Sequence, residues 1–186
     1  SPTAGGSTVK RLVIGAAVGG IALLAILSLG GNDGPPGAVF HAEGFAAIEI
    51  GMTEDEVRSA TDGGVRWEPV FDDRGCSYVE FTEFSDLAGL SGDGERLGSV
   101  EINDYELAGR EARTEQGVSL GNAEELTEED YDDVAVMTRP YGQEPDHWLI
   151  VDLPTGNSYV FGTTNGRINH IRVGSSPDVE FIEGCA

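Results

Sequence analysis

SYVFGTTNGRINHIRVG, Ser158 to Gly174, reads as two strands hinged at Asn165-Gly166. A two-residue hairpin turn needs positive φ at both central positions, and Asn-Gly is the pair that accepts it most readily. Upstream, VAVMTR (134–139) and HWLIVDL (147–153) continue the strand pattern, and PTGN separates HWLIVDL from SYVFGTT. The C-terminal half is therefore expected to form an antiparallel meander.

The first half follows a similar plan. VRWEPVF (65–71), the turn DDRG, CSYVEFTEF (76–84) and LGSVEIND (97–104) read as strands. Pro69 marks the first of them as an edge strand or a bulged one. FSDLAGLSGDGER, Phe84 to Arg96, reads either as an ordinary long connection or as a binding loop. Trp67, Phe71, Tyr78, Phe81, Trp148, Tyr159 and Phe161 fall mostly on alternating strand positions and are expected in the core.

Each half opens on a helix signal. In IGMTEDEV, Thr53 is a good N-cap, Glu56 completes a capping box, and Met52 with Val57 forms a hydrophobic staple. Asp62-Gly63-Gly64 supplies the stop. About seventy residues on, Gly117 to Gly121 echoes Ala47 to Gly51, with Asn122 as the expected cap and Glu125 in the capping-box position of the acidic stretch AEELTEEDYDD. The fold expected is α+β: two helix-plus-antiparallel-meander repeats, about 44–110 and 114–186, in one domain of residues 39–186 with its helices packed on a single face.

Ahead of that domain lies an apolar stretch. Leu12 to Leu29 carries no charge, and its 18 residues make roughly 27 Å of helix, enough to cross a hydrocarbon core of about 30 Å. It reads as a transmembrane helix, 12–29, between a cytoplasmic arm, 1–11, and a Gly/Pro tether, 30–38. A cleaved secretory signal is the alternative, because Ser28 and Gly30 are spaced like a peptidase site. Lys10 and Arg11 precede the stretch and Asp33 is the first charge after it. By the positive-inside rule the N-terminus faces the cytoplasm and the domain the periplasm, in a bacterial inner membrane. Gly15 and Gly19, repeated one position on by Ala16 and Gly20, form small-residue pairs that suit close helix packing, though such residues are common in membrane helices anyway.

The chain has 33 acids against 11 bases, a net charge of −22. Two of the bases are Lys10 and Arg11, which leaves the domain nine Arg and no Lys. Such a surface argues against nucleic acid, whose phosphates call for basic patches. It favours either plain solubility or attraction to a basic partner. Two cysteines, Cys76 and Cys185, allow one disulfide, expected in an oxidising compartment; two buried thiols are the alternative.

No catalytic, cofactor-binding or metal-binding residue is assigned, no cofactor is expected, and the chain is read as non-enzymatic. His41, His147 and His170 lack partners at i+3 or i+4, and H-E-x-x-H is absent. Asp146-His147 reads as turn chemistry. Gly89-Leu90-Ser91-Gly92 approaches G-x-S-x-G but lacks its spacing. The acids from Glu124 to Asp133 read as a solvated helix face favoured by the helix dipole, with a weak Ca²⁺ site or a patch for a basic partner as the alternative.

The run Ile48 to Val57, apolar-x-apolar-Gly-Met-Thr-x-x-x-Val, resembles the opening of exported repeats of the β-lactamase inhibitory protein type and of the small lipoprotein of the barrel-assembly machinery. The echo at Val118 to Leu126 has Asn122-Ala123 in place of Met-Thr. The resemblance implies a helix-plus-meander fold that binds other proteins. The function expected is a non-catalytic accessory or assembly subunit of a larger bacterial membrane complex, such as a respiratory or photosynthetic one, partnered by integral membrane proteins. The alternative is an anchored inhibitor or sensor of an exported enzyme or ligand.

Overall fold

The computed structural model describes residues 39–70, 75–82, 87–103, 112–139 and 146–180. The chain divides into two compact units, Ser1–Asn32 and Asp33–Ala186, and every described residue belongs to the second. In chain order the elements are β1 (Val39–His41), β2 (Gly44–Phe45), β3 (Ile48–Glu49), α1 (Glu54–Ala60), β4 (Val65–Pro69), β5 (Ser77–Phe81), β6 (Leu87–Ser91), β7 (Ser99–Asn103), β8 (Arg113–Thr114), α2 (Glu125–Asp130), β9 (Ala135–Thr138), β10 (His147–Asp152), β11 (Asn157–Thr164), β12 (Arg167–Ser175) and a 3-10 turn at Asp178–Glu180.

Two sheets carry the fold. The larger has eight strands in the order β4-β5-β6-β7-β12-β11-β10-β9, so the first four and last four strands meet at the antiparallel β7–β12 seam. The smaller runs β3-β2-β1-β8, and its β1–β8 pair is parallel. One row of side chains crosses the large sheet from edge to edge: Val136, Leu149, Phe161, Ile171, Ile102, Leu87, Phe81 and Val65. From Leu149 to Val65 this row is buried, in one cluster with Phe40, Phe45 and Ile48 of the small sheet and Val57 of α1.

The α+β expectation is thereby overturned. The described residues are mostly β, with two α-helices among them, of 7 and 6 residues. The lead-in to α1 is not a helix approach but three strands, and the supposed connection 84–96 contains β6. A second sheet therefore covers much of the core face that helices were expected to cover. At 1.5 Å per residue the two helices span only about 10 Å each. Among the described residues no helix is long and apolar enough to cross a membrane. The helix expected at 12–29, its Gly15, Ala16, Gly19 and Gly20 face, the arm and the tether all lie outside the described residues. A single-pass anchor and an inner-membrane, periplasm-facing location consequently have no support in the structure.

Local signals fared unevenly. The Thr53 capping box forms: the Thr53 N–H donates to Glu56 Oε2 at 2.8 Å, and the Glu56 N–H donates to Thr53 Oγ1 at 3.4 Å. Asn165 and Gly166 take φ of 52° and 71°, as the hairpin requires. Pro69 ends the edge strand β4. The cap expected at Asn122 does not form, because its Oδ1 accepts the Ser119 N–H at 2.9 Å; α2 starts after Glu124 without a side-chain cap. Tyr78 alternates onto the opposite face from Val79 and Phe81 and is 43% exposed. Phe71 lies outside the described residues.

Candidate functional site

The face of the large sheet turned away from the main core holds the most concentrated buried charge among the described residues. Arg172 on β12 pairs directly across the seam with Glu101 on β7, and His170 sits two residues before Arg172, on the same face. Arg172 Nε donates to Glu101 Oε2 at 2.6 Å, and Nη2 reaches the same oxygen. His170 Nε2 lies 3.2 Å from it, and since an ionised carboxylate only accepts, that nitrogen carries the hydrogen. Arg172 Nη1 donates to the Val179 carbonyl at 3.2 Å, tying the 3-10 turn down over the cluster. Beside it Trp148, Val160 and Val179 make a small apolar cluster. Trp148 is thus buried as expected, but on this face instead of in the main core.

The same turn is held from its start by Asp178, whose Oδ2 accepts the Gly92 N–H at 3.2 Å. A Cβ at Gly98 would come 1.6 Å from that oxygen, so only glycine lets the carboxylate settle there.

The electrostatics describe a closed staple. Burial raises the Glu101 carboxyl, but the His170 hydrogen bond and the Arg172 charge outweigh it and hold the group at about 2. Burial lowers His170; Glu101 draws it back up, and the charges of Arg172 and Arg139 push it down. Both groups thus have depressed folded values, so both stabilise above their unfolded values and lose that contribution as pH falls. The window for His170 opens below about pH 6.5 and that for Glu101 below about 4.5, closing near 2. From 4.5 to about 2 the Glu101 share amounts to about 3 kcal/mol. Asp178, raised by burial, opposes it in the acid range. Urea midpoints are expected to fall continuously from about pH 6.5 toward pH 3, with His170→Gln flattening the upper part; a flat profile in the wild type would contradict the assignment.

A second pair lies on α2's side of the sheet. His147 Nδ1 is 3.2 Å from both oxygens of Glu124, so one end of the acidic stretch is engaged within the fold. Asp146 does turn work, its Oδ1 accepting the Asn165 N–H at 3.1 Å. His41 Nε2 lies 3.1 Å from the Ala46 carbonyl oxygen. Among the described residues no group of three or more His, Cys, Asp or Glu stands close enough to hold a metal ion. Cys76 is disulfide-bonded; its expected partner Cys185, the chain's only other cysteine, lies outside the described residues.

Two of the exposed large apolar side chains among the described residues are neighbours at one end of the large sheet. The edge strand β9 is exposed along its whole length, with Val136 at 48% and Met137 at 52%. It contains no charge. Val136 turns to the core face, which also carries α2, and Met137 to the other. Just before the strand stand the exposed acids Glu128, Glu129, Asp130, Asp132 and Asp133, and Leu126 of α2 is exposed as well. The opposite edge, β4, is built differently: Arg66 bridges Glu68 and Glu80 across it, and Pro69 closes it. Edge strands are normally guarded by such charges and prolines. Among the described residues, charge and proline guard the β4 edge, and β9 carries neither. Neither the Glu101 cluster nor this contrast was anticipated from sequence, though the i, i+2 spacing of His170 and Arg172 placed those two on one face.

Comparison with protein-family models, with curated proteins and with solved structures finds no match for this chain.

Proposed function

We propose that this is a non-catalytic protein-binding domain, an accessory element of a larger assembly, whose contact surface is the β9 end of the large sheet. The observation that carries this is the exposure of β9: an uncharged edge strand with half-exposed Val136 and Met137, in a sheet whose opposite edge strand is capped by charge and proline. Exposed apolar side chains gathered at one place mark contact surfaces. The buried ionisable groups point the same way, since Glu101, His170 and Arg172 satisfy one another and hold down a turn, which is structural work.

The test compares the immobilised full chain with its Met137→Asp variant against soluble and detergent-extracted proteins of the source cells. A side chain half in water can be replaced without unfolding the sheet, so the variant is expected to keep its circular dichroism. It should lose its specifically retained proteins by about tenfold, the equivalent of about 1.4 kcal/mol. Identical retention by the two chains would remove the surface from consideration.

A further inference from the structure

The mode of binding can be read from the backbone of β9, resting on the protein-binding role proposed above. The Arg139 N–H donates to the Asp146 carbonyl at 3.0 Å, which sets the alternation of the β9–β10 ladder. Along an antiparallel pair, hydrogen-bonded and non-hydrogen-bonded positions alternate. Met137, opposite Trp148, and Ala135, opposite Ile150, therefore turn their backbone groups toward β10. Val136, opposite Leu149, turns its N–H and C=O to the outer side, where among the described residues no strand follows.

Charge selects the occupant. Asp133 is two residues from the start of β9 and takes a positive φ of 57°, and Asp130 and Asp132 are exposed beside it. The cation at the other end, Arg139, is turned inward, with Nη1 3.3 to 3.4 Å from the Thr163 carbonyl, Thr164 Oγ1 and Asn169 Oδ1. The edge thus offers main-chain hydrogen bonds, an apolar strip and negative charge at its N-terminal end. A second copy of the chain, itself carrying −22, is repelled. We infer that β9 takes up an extended segment of a basic partner protein by strand addition, with Val136 supplying the main-chain bonds and the acids at 130–133 receiving Lys or Arg of the added strand.

The probe is a short synthetic peptide of alternating Val and Thr with a Lys pair at each end, titrated against the full chain at low salt. Three comparisons go with it: the same peptide with Glu pairs, the Lys peptide N-methylated along its backbone, and the Val136→Pro protein. Proline at Val136 removes only the outward donor and leaves the bonds to β10 in place, a position where edge strands tolerate it. The Lys peptide is expected to bind at least about tenfold more tightly than the Glu peptide and to weaken with salt. N-methylation and Val136→Pro are each expected to reduce its binding by about tenfold or more. Should Val136→Pro not fold, the N-methylated peptide on the unaltered chain decides the same point.

Equal binding of the Lys and Glu peptides overturns the inference, as does binding insensitive to N-methylation. Sedimentation showing a dimer that Val136→Pro dissolves overturns it in favour of a second copy. If the Lys peptide fails to bind while Met137→Asp still abolishes retention of cellular proteins, strand addition falls and the binding surface stands. If Met137→Asp changes nothing but the Lys peptide behaves as described, the proposed cellular role of that surface falls and the strand-addition chemistry remains.

Discussion

Arg172→Leu is expected to lower the unfolding free energy by about 3 to 5 kcal/mol. Glu101 is only 23% exposed, and Arg172 contributes both Nε and Nη2 to one of its oxygens. Removing the guanidinium leaves a largely desolvated carboxylate with the His170 contact and a long hydrogen bond of 3.4 Å from Asn103 Nδ2. It also releases the Val179 carbonyl and so loosens the 3-10 turn. The cost comes from the charge left behind more than from the bond lost. The Glu101→Leu, Arg172→Leu double variant, which removes both charges, should therefore recover most of the stability. Urea unfolding of the three proteins at neutral pH measures this. A double variant as unstable as the single one would mean that the turn contact, and not the ion pair, carries the energy.

Phe161→Ala is the counterpart in the apolar layer, with an expected loss of about 3 to 5 kcal/mol. Phe161 is fully buried, third from the β9 end of the row that crosses the large sheet. Its ring centroid lies 5.7 Å from that of Tyr131 and 5.6 Å from that of Tyr159. The neighbours belong to β-strands locked in register on both sides, so the vacated space cannot readily collapse, and the cavity adds to the lost transfer energy. Val136→Ala, at the exposed end of the same row, is expected to cost under about 0.5 kcal/mol. A loss below about 1 kcal/mol for Phe161→Ala would show that the layer between the two sheets is loosely packed there.

The contrast between those two positions in one row shows how far local pattern reaches. Phe161 and Val136 both lie in strand-like runs and fall in one row of the large sheet. Only strand order separates them, since β11 lies inside the sheet and β9 at its edge. Tyr78 and Trp148 make the same point: both are expected in the core, yet both lie on the opposite face, where Val179 of the 3-10 turn, far along the chain, packs with Trp148 while Tyr78 stays 43% exposed. The Glu101 cluster was still less legible, because its members stand about seventy residues apart and meet only through the β7–β12 seam.

What the sequence determined by itself was local and short-ranged. The Asn165-Gly166 turn, the Thr53–Glu56 capping box, the edge position of Pro69, the alternation of strand faces and the acidity of the chain all follow from conformational preference or charge within a few residues. Tertiary structure alone decided that helices would be minor, since α1 and α2 are too short to cover the sheet and a second sheet formed by β1, β2, β3 and β8 takes that place. It also decided which charges would be buried together and that the uncharged β9 would lie at the end of the large sheet. Those outcomes depend on pairing between distant segments, whose energy comes from area removed from water and hydrogen bonds exchanged across the chain, and no single stretch of residues contains them.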